Sequence, residues 1–165
     1  MTEPSSAQPG IVALREVRDS DLPTLFTQQL DPEANRMAAF TARDPADRAA
    51  FDAHWAKIRA DVTIIPRVIL YDGQVAGNIA YFMMFGQPHI GYWLGREFWG
   101  QGIATRALAA FLALLPARPL YARAAKDNLG SLRVLEKCGF VRTGVEKSFA
   151  LARGEEIEEV ILFLA

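Results

Sequence analysis

The sequence predicts a mixed α/β fold: one mostly antiparallel sheet of about seven strands with one parallel pair inside it, and about four helices. Three observations carry this expectation. Asp72-Gly73 separates two strand-like runs by a two-residue turn that needs positive φ, the signature of a hairpin. Gln87-Pro88 then turns the chain into a third apolar run, so the middle of the chain reads as an antiparallel meander. That third strand passes through glycines into a long helix and out again into a strand, and such a unit within one sheet has a right-handed crossover and parallel strands.

Ile11 to Val17 alternates as a first strand, and Asp19-Ser20-Asp21 supplies an N-cap before the helical stripe Leu22, Leu25, Phe26, Leu30. Asp31-Pro32 ends that helix. Residues 31–45, DPEANRMAAFTARDP, are turn-rich yet hold Met37, Phe40 and Arg43, which read equally as loop packing and as the lining of a cleft. A helix from about Pro45 to Asp61 puts Phe51, Trp55, Ile58 and Val62 on one stripe. Thr63 to Leu70 and Gln74 to Phe85 flank the Asp72-Gly73 turn, and Ile90 to Leu94 is the third strand of the meander. Gly95, Gly100 and Gly102 lead into a helix with no breaker until Pro116, and Leu120 to Ala125 returns as a strand. Asp127 or Asn128 caps the next helix, with Leu129, Leu132, Leu135 and Cys138 toward the core and Gly139 at its C-terminal cap. Phe140 to Leu151 and Glu156 to Leu164 make a closing hairpin.

A chain of 165 residues with 51% apolar content suits one core, so residues 11–165 are expected to form a single domain. The first ten, MTEPSSAQPG, read as a flexible lead-in without the basic and apolar regions of a secretory leader. No run of about 20 apolar residues suggests a membrane span, and the chain is read as cytoplasmic. A net charge of −1 argues against a general nucleic-acid or membrane partner, but the charge is uneven. From Leu94 to Lys147 there are nine Lys/Arg against four Asp/Glu, a local +5, with −6 elsewhere. Cys138 is the lone cysteine, so neither an intramolecular disulfide nor a thiolate metal cluster can form, no metal site is expected, and Cys138 reads as a buried thiol.

The glycine turn opening the long helix is a candidate anion site. The first N–H groups of a helix lack intrahelical partners, and the helix dipole adds partial positive charge there. Gly95 and Gly100 have Walker A spacing, but Gln101-Gly102 stand where Lys and Ser/Thr belong. Gly100-Gln101-Gly102-Ile103-Ala104-Thr105 begins like a dinucleotide fingerprint, but Thr105 replaces its third small residue and the strand lies mid-chain.

The run from Gly100 to Leu108, GQGIATRAL, resembles the pyrophosphate loop of the GCN5-related N-acetyltransferases. Asn128-x-x-Ser131 followed by Glu136-Lys137-Cys138-Gly139-Phe140 resembles that family's later block, in the same order and spacing. The resemblance is nearest to the subgroup of ribosomal-protein N-terminal and small-amine acetyltransferases. Glu97 departs from the family's loop, which often has Gln or Arg there. The resemblance implies a transferase, an acyltransferase that passes acetyl from acetyl-CoA directly to a primary amine, either a protein N-terminus or a small amine. It also implies a parallel strand pair that splays apart around the pantetheine arm. The basic half of the chain suits such a polyanionic co-substrate. A monomer or homodimer is expected.

The residues expected to hold the co-substrate are Gln101, Gly102, Ile103, Ala104 and Thr105 through their backbone, Trp93 and Leu94 beside the thioester, and Asn128 and Ser131. His89, Gly91 and Trp93 share one face of the strand and Ile90, Tyr92 and Leu94 the other. Relatives commonly carry Glu where His89 stands, and an imidazole titrating near ~6.5 suits a general base, directly or through water. Many relatives have a Tyr before the Glu-Lys pair that protonates the leaving thiolate; here it is Leu135. Ser131 is the nearest replacement donor, with Tyr92 and Tyr121 in reserve. The missing Tyr also admits a catalytically silent acyl-CoA-binding sensor module. Seven carboxylates (Asp31, Glu33, Asp44, Glu155, Glu156, Glu158, Glu159) are expected near the acceptor mouth, where they read equally as a field that attracts a cationic amine and as ordinary surface charge, since Arg36, Arg43 and Arg153 are interspersed.

Overall fold

Alternation of apolar residues and two positive-φ turns build the sheet. The structure, a computed structural model, describes residues 10–165, so the expected N-terminal lead-in falls almost wholly outside the described residues. Strands β1 (Val12–Arg15), β2 (Ile65–Tyr71), β3 (Gln74–Met84) and β4 (Gln87–Leu94) form an antiparallel meander in the order of the chain. Asp72 and Gly73 turn β2 into β3 at φ 49° and 79°. Phe85 and Gly86 turn β3 into β4 at 53° and 72°, so Pro88 lies within β4 and the turn precedes the Gln87-Pro88 pair that was expected to make it. Strand β5 (Leu120–Ala125) comes next, parallel to β4, and the hairpin β6 (Val141–Ala150) and β7 (Glu155–Leu164) completes the order β1-β2-β3-β4-β5-β7-β6.

Among the described residues five α-helices flank the sheet: α1 (Leu22–Gln29), α2 (Pro32–Ala38), α3 (Arg48–Ala60), α4 (Ile103–Leu114) and α5 (Leu129–Lys137). The fifth is α2, where the sequence pattern suggests only a loop. Asp31-Pro32 does end α1, but Asp31 also accepts from Glu33 N–H at 3.0 Å while Pro32 occupies the first helical position, where its missing donor costs nothing. Its last carbonyls are taken from outside: Arg153 donates to Arg36 O, the Asn128 side chain to Met37 O, and Ala152 N–H to Ala39 O.

Two cores result. On one face α4 and α5 cover Ile69, Ile79, Ile90, Leu120 and Leu162 with Phe111, Leu108 and Leu132. On the other, Leu25, Phe51 and Trp55 of α1 and α3 cover Val68. Several boundaries differ from the expected ones. Ile11 is exposed and β1 begins after it; Val62 is 96% exposed because α3 has already ended; and Leu129, in the first turn of α5, faces solvent rather than core. Gly139, at φ 95°, succeeds α5 as expected.

Asp21 stands at the N-cap position of α1, but its side chain makes no capping bond to that helix. Its buried carboxylate forks onto both Arg15 guanidinium nitrogens at 2.7 Å and accepts from Arg18 N–H at 2.8 Å, joining the end of β1 to the start of α1. The Arg15 hydrogen bonds hold its pKa below the ordinary carboxylate value against the opposing effect of burial. Because the folded pKa is depressed, the stabilisation is present above the unfolded value near 3.8 and fades as pH falls through the folded one. Asp21→Ala is expected to cost roughly 2–3 kcal/mol at pH 7, less than a fully buried pair because Arg15 keeps contact with water, and the difference from wild type in urea melts should shrink below pH 4.

Candidate active site

Strands β4 and β5 are joined by one ladder pair, His89 with Tyr121, and diverge beyond it. Past that joint, the β4 backbone at Tyr92–Leu94 faces a gap where a parallel neighbour would otherwise lie. The gap is flanked by the N-termini of α4 and α5, which begin shortly after the two diverging strand ends. A cleft of about 520 Å³ occupies the α4/α5 side, and a second chamber of about 790 Å³ lies beyond the splay.

Gly100 and Gly102 both have φ 74°, and a Cβ on either would meet open space, so the backbone there is bare toward solvent. Gly102 is the N-cap of α4 with no side-chain partner, and the first intrahelical N–H bond runs from Arg106 to Gly102 O at 3.2 Å. The N–H groups of Ile103, Ala104 and Thr105 precede that first bond and are left for a ligand. Gly102, Ile103, Ala104 and Thr105 line the cleft with Lys137, which stands in the later sequence block, and Arg133, a cation that no sequence motif singled out. The Gln101 side chain instead folds back onto Glu97 O at 3.0 Å. These features, a bare left-handed turn, free amides and two cations, fit a pyrophosphate-bearing ligand.

Trp93 and Leu94 line the cleft where the strands part. The Leu94 carbonyl is taken by Trp99 Nε1–H at 2.9 Å. Gly77 sits opposite Leu94, and a Cβ there would stand 2.0 Å from the Trp93 carbonyl, so only glycine lets β3 come this close behind the end of β4. Asn128 caps α5, accepting from Ser131 N–H at 3.2 Å.

Tyr92 and Ser131 meet at the junction of the two cavities and line both. The hydroxyls are 2.9 Å apart, and the phenol is also 3.2 Å from Ser131 O. Burial pushes the Tyr92 phenol up to about 12, so it carries its proton throughout the neutral range. Leu135, buried at the position where relatives have Tyr, offers no proton. Cys138 is half-buried, its thiol 3.6 Å from Thr105 O and its pKa raised by desolvation, as befits a packing residue.

His89 lies on the opposite face of β4 from Tyr92, at the closed root of the splay, and is 1% exposed. Its ring is stacked on Phe82 at 6.1 Å and tilted against Tyr121 at 5.7 Å. Nδ1 lies 2.9 Å from Gln87 O, an acceptor, which assigns the proton to Nδ1 and leaves Nε2 as a lone pair. Tyr121 is thus a neighbour of His89, away from the hydroxyl pair. Three residues of strand, about 10 Å, separate His89 from Tyr92, so the candidate base and acid do not touch. Phe82, Phe85 and Arg123 complete the walls around His89. The last carried a signal in the sequence: one charge inside LYARAA, a strand otherwise fit for burial. Arg123 bonds Glu146 at 2.8 Å and Glu159 at 3.1 Å.

The expected acidic mouth is largely neutralised. Asp31 pairs with Arg96, Glu33 with Arg36, Glu158 with Lys126 and Glu159 with Arg123; of the seven carboxylates, Asp44 and Glu159 line the chamber.

A family model for the acetyltransferase (GNAT) domain matches residues 12–141. YdaF of Bacillus subtilis, whose name assigns it provisionally to the ribosomal N-acetyltransferases, is 30% identical over 116 residues, 64% of this chain and 63% of YdaF. The match thus spans less than two thirds of that relative. Among solved structures, Mycobacterium smegmatis RimJ in complex with CoA-disulfide superposes with a TM-score of 0.78 at 25% identity, covering 94% of this chain and 82% of RimJ. Spermidine N-acetyltransferase from Vibrio cholerae, in complex with CoA and spermine, gives 0.80 at 15% identity over 93% and 94% of the two chains, a likeness of fold.

Burial lowers the pKa of His89, Arg123 lowers it further, and the Gln87 carbonyl and Glu159 act against them. An imidazole with a depressed folded pKa takes up its proton more readily when unfolded, so stability falls as pH drops below the unfolded value near 6.5. His89→Gln should flatten the decline in Tm between pH 7 and pH 5 relative to wild type, measured by thermal melts at fixed ionic strength.

Proposed function

The chain belongs to the acetyltransferase (GNAT) domain family, and from that premise we propose that it is an acetyl-CoA-dependent N-acetyltransferase acting on a primary amine, a protein N-terminus or a small amine. The observation that carries this reading is the pair of adjoining cavities, one at the bare N-terminus of α4 and one beyond the β4/β5 splay, with the Tyr92–Ser131 hydroxyl pair lining both.

Gln101 to Thr105 would hold the pyrophosphate through backbone N–H groups, with Lys137 and Arg133 adding charge. Asn128 and Ser131 border the arm, and the Leu94 amide, which points away from β3 by alternation from the Gly95 N–H bond to Ala76 O, orients the thioester oxygen, with Trp93 beside it. Acetyl-CoA supplies the activated acyl group. In the overall transfer the acetyl C–S bond breaks and a C–N bond forms, the amine gives up a proton, and the thiolate gains one. His89 Nε2, a neutral lone pair on the acceptor side, receives the amine proton through water, given its distance from the hydroxyls. Tyr92, kept protonated by burial, donates toward the sulfur, with Ser131 fixing the direction of its O–H. The phenol from β4 therefore takes the part that Leu135 cannot. Among the described residues no helix is long and apolar enough to cross a membrane.

Gly102→Glu, which fills the cradle with a like charge, should abolish acetyl-CoA binding by calorimetry while leaving the circular dichroism unchanged. Free-thiol release across a panel of N-terminal peptides, amino acid amides, polyamines and aminoglycosides tests the reaction. Tyr92→Phe is expected to lower kcat by about 10²-fold with little change in the Kd of acetyl-CoA, in the range of lost general acid catalysis. Tight acetyl-CoA binding with no thiol release from any amine would replace the enzyme by a sensor of acyl-CoA.

A further inference from the structure

Four buried side-chain polar atoms around the second chamber have no hydrogen-bond partner within the protein: His89 Nε2, Trp93 Nε1, Arg123 Nε and Thr41 Oγ1. Leaving such atoms unpaired is costly, and native proteins rarely do it without a reason. Phe85 lies over two of them. Its ring covers the Arg123 guanidinium at 4.6 Å and stands edge-on to the His89 ring at 6.4 Å. Yet Phe85 is 73% exposed, so its ring shields polar groups without itself being buried, the reverse of ordinary apolar packing. It also holds φ 53° at the tip of the β3–β4 hairpin, in a turn that favours Asn or Gly and disfavours an aromatic residue. A strained backbone that persists at the mouth of a cavity points to a role there.

We propose that Phe85 is an aromatic gate over the acceptor chamber and that the acceptor is an α-amino acyl compound whose first side chain is aromatic or large and apolar. In the present arrangement the ring shuts His89 and Arg123 away from water. The acceptor enters by displacing it. Its amine then donates to a water that bonds His89 Nε2, its adjacent carbonyl oxygen accepts from Arg123 Nε–H or Trp93 Nε1–H, and its side chain takes the place of the Phe85 ring against the guanidinium. His89 Nε2 and one of the two N–H donors thereby gain the kind of partner they lack. The same arrangement disfavours polyamines, because four of the expected carboxylates are already paired with cations. The assignment of the acceptor's reacting amine rests on the transferase reading; the gate and the binding preference do not.

Two measurements test it on the full chain. The first is the NMR titration of His89, resolved from His54 as the second of two histidines. The charged and titratable groups facing it are Arg123 on β5 and Glu159 on β7, with Asp44, Asp47 and His54 lining the same chamber. Phe85→Gly, which relieves the backbone as it removes the ring, should raise the His89 midpoint toward 6.5 with no loss in Tm. Phe85→Asn should repeat the shift and Phe85→Tyr should abolish it; an unmoved midpoint in the Gly and Asn variants overturns the gate. The second is calorimetry with CoA present, using phenylalanine amide, alanine amide and spermidine as probes. Phenylalanine amide should bind at least tenfold tighter than the other two; equal or inverted order overturns the acceptor class. Binding in the expected order without thiol release from acetyl-CoA would sustain the chamber assignment and defeat the transferase reading instead.

Discussion

The pairing of His89 with Tyr121 is the constraint on which the rest of the site depends. A parallel pair that continued as a regular ladder would seal β4 against β5 and leave no passage through the sheet. Here one pair fastens the roots of the strands, and α4 and α5 begin shortly beyond their ends with N–H groups and Asn128 toward the opening. Gly77 supports the parting from behind, since any Cβ would drive into the Trp93 carbonyl at the end of β4. The two faces of β4 then divide the chemistry. Tyr92 points to the α4/α5 side with a proton it keeps, and His89 to the α1/α3 side with a lone pair it keeps.

Burial sets both protonation states in opposite chemical senses by one cause. Removing water disfavours the charged form of each group, so the phenol is raised and the imidazole lowered, and each stays neutral near pH 7. A neutral acid and a neutral base, held apart by the thickness of a strand, avoid neutralising each other in the resting protein.

Much of this was legible in the residues. Asp72-Gly73, the glycines before Ile103 and the strand pattern of Leu120 to Ala125 each specify their local structure, and they brought the meander, the crossover and the left-handed turn before α4 with them. The fifth helix was not legible, because Asp-Pro both stops the helix before it and starts the helix after it. Moreover, α2 draws its support from Arg153, Asn128 and Ala152, more than 90 residues away. Alternation along β4 correctly put His89 and Tyr92 on opposite faces, but not that Tyr92 would meet Ser131, since α5 reaches it only after a crossover. Of the neutralised mouth, the local Glu33–Arg36 pair was legible, but Arg96 and Arg123 are remote in sequence from the carboxylates they bind.

The way α2 is held has a consequence for how this protein can change. Its C-terminal end is held through the main-chain carbonyls of Arg36, Met37 and Ala39, which every residue type supplies, while the side chains of Met37 and Ala38 at that end line the cleft. Anchoring and recognition therefore draw on separate parts of the same residues. Selection can rewrite the surface that α2 shows to a ligand without loosening its attachment, so the range of ligands accepted can drift while the scaffold stays put.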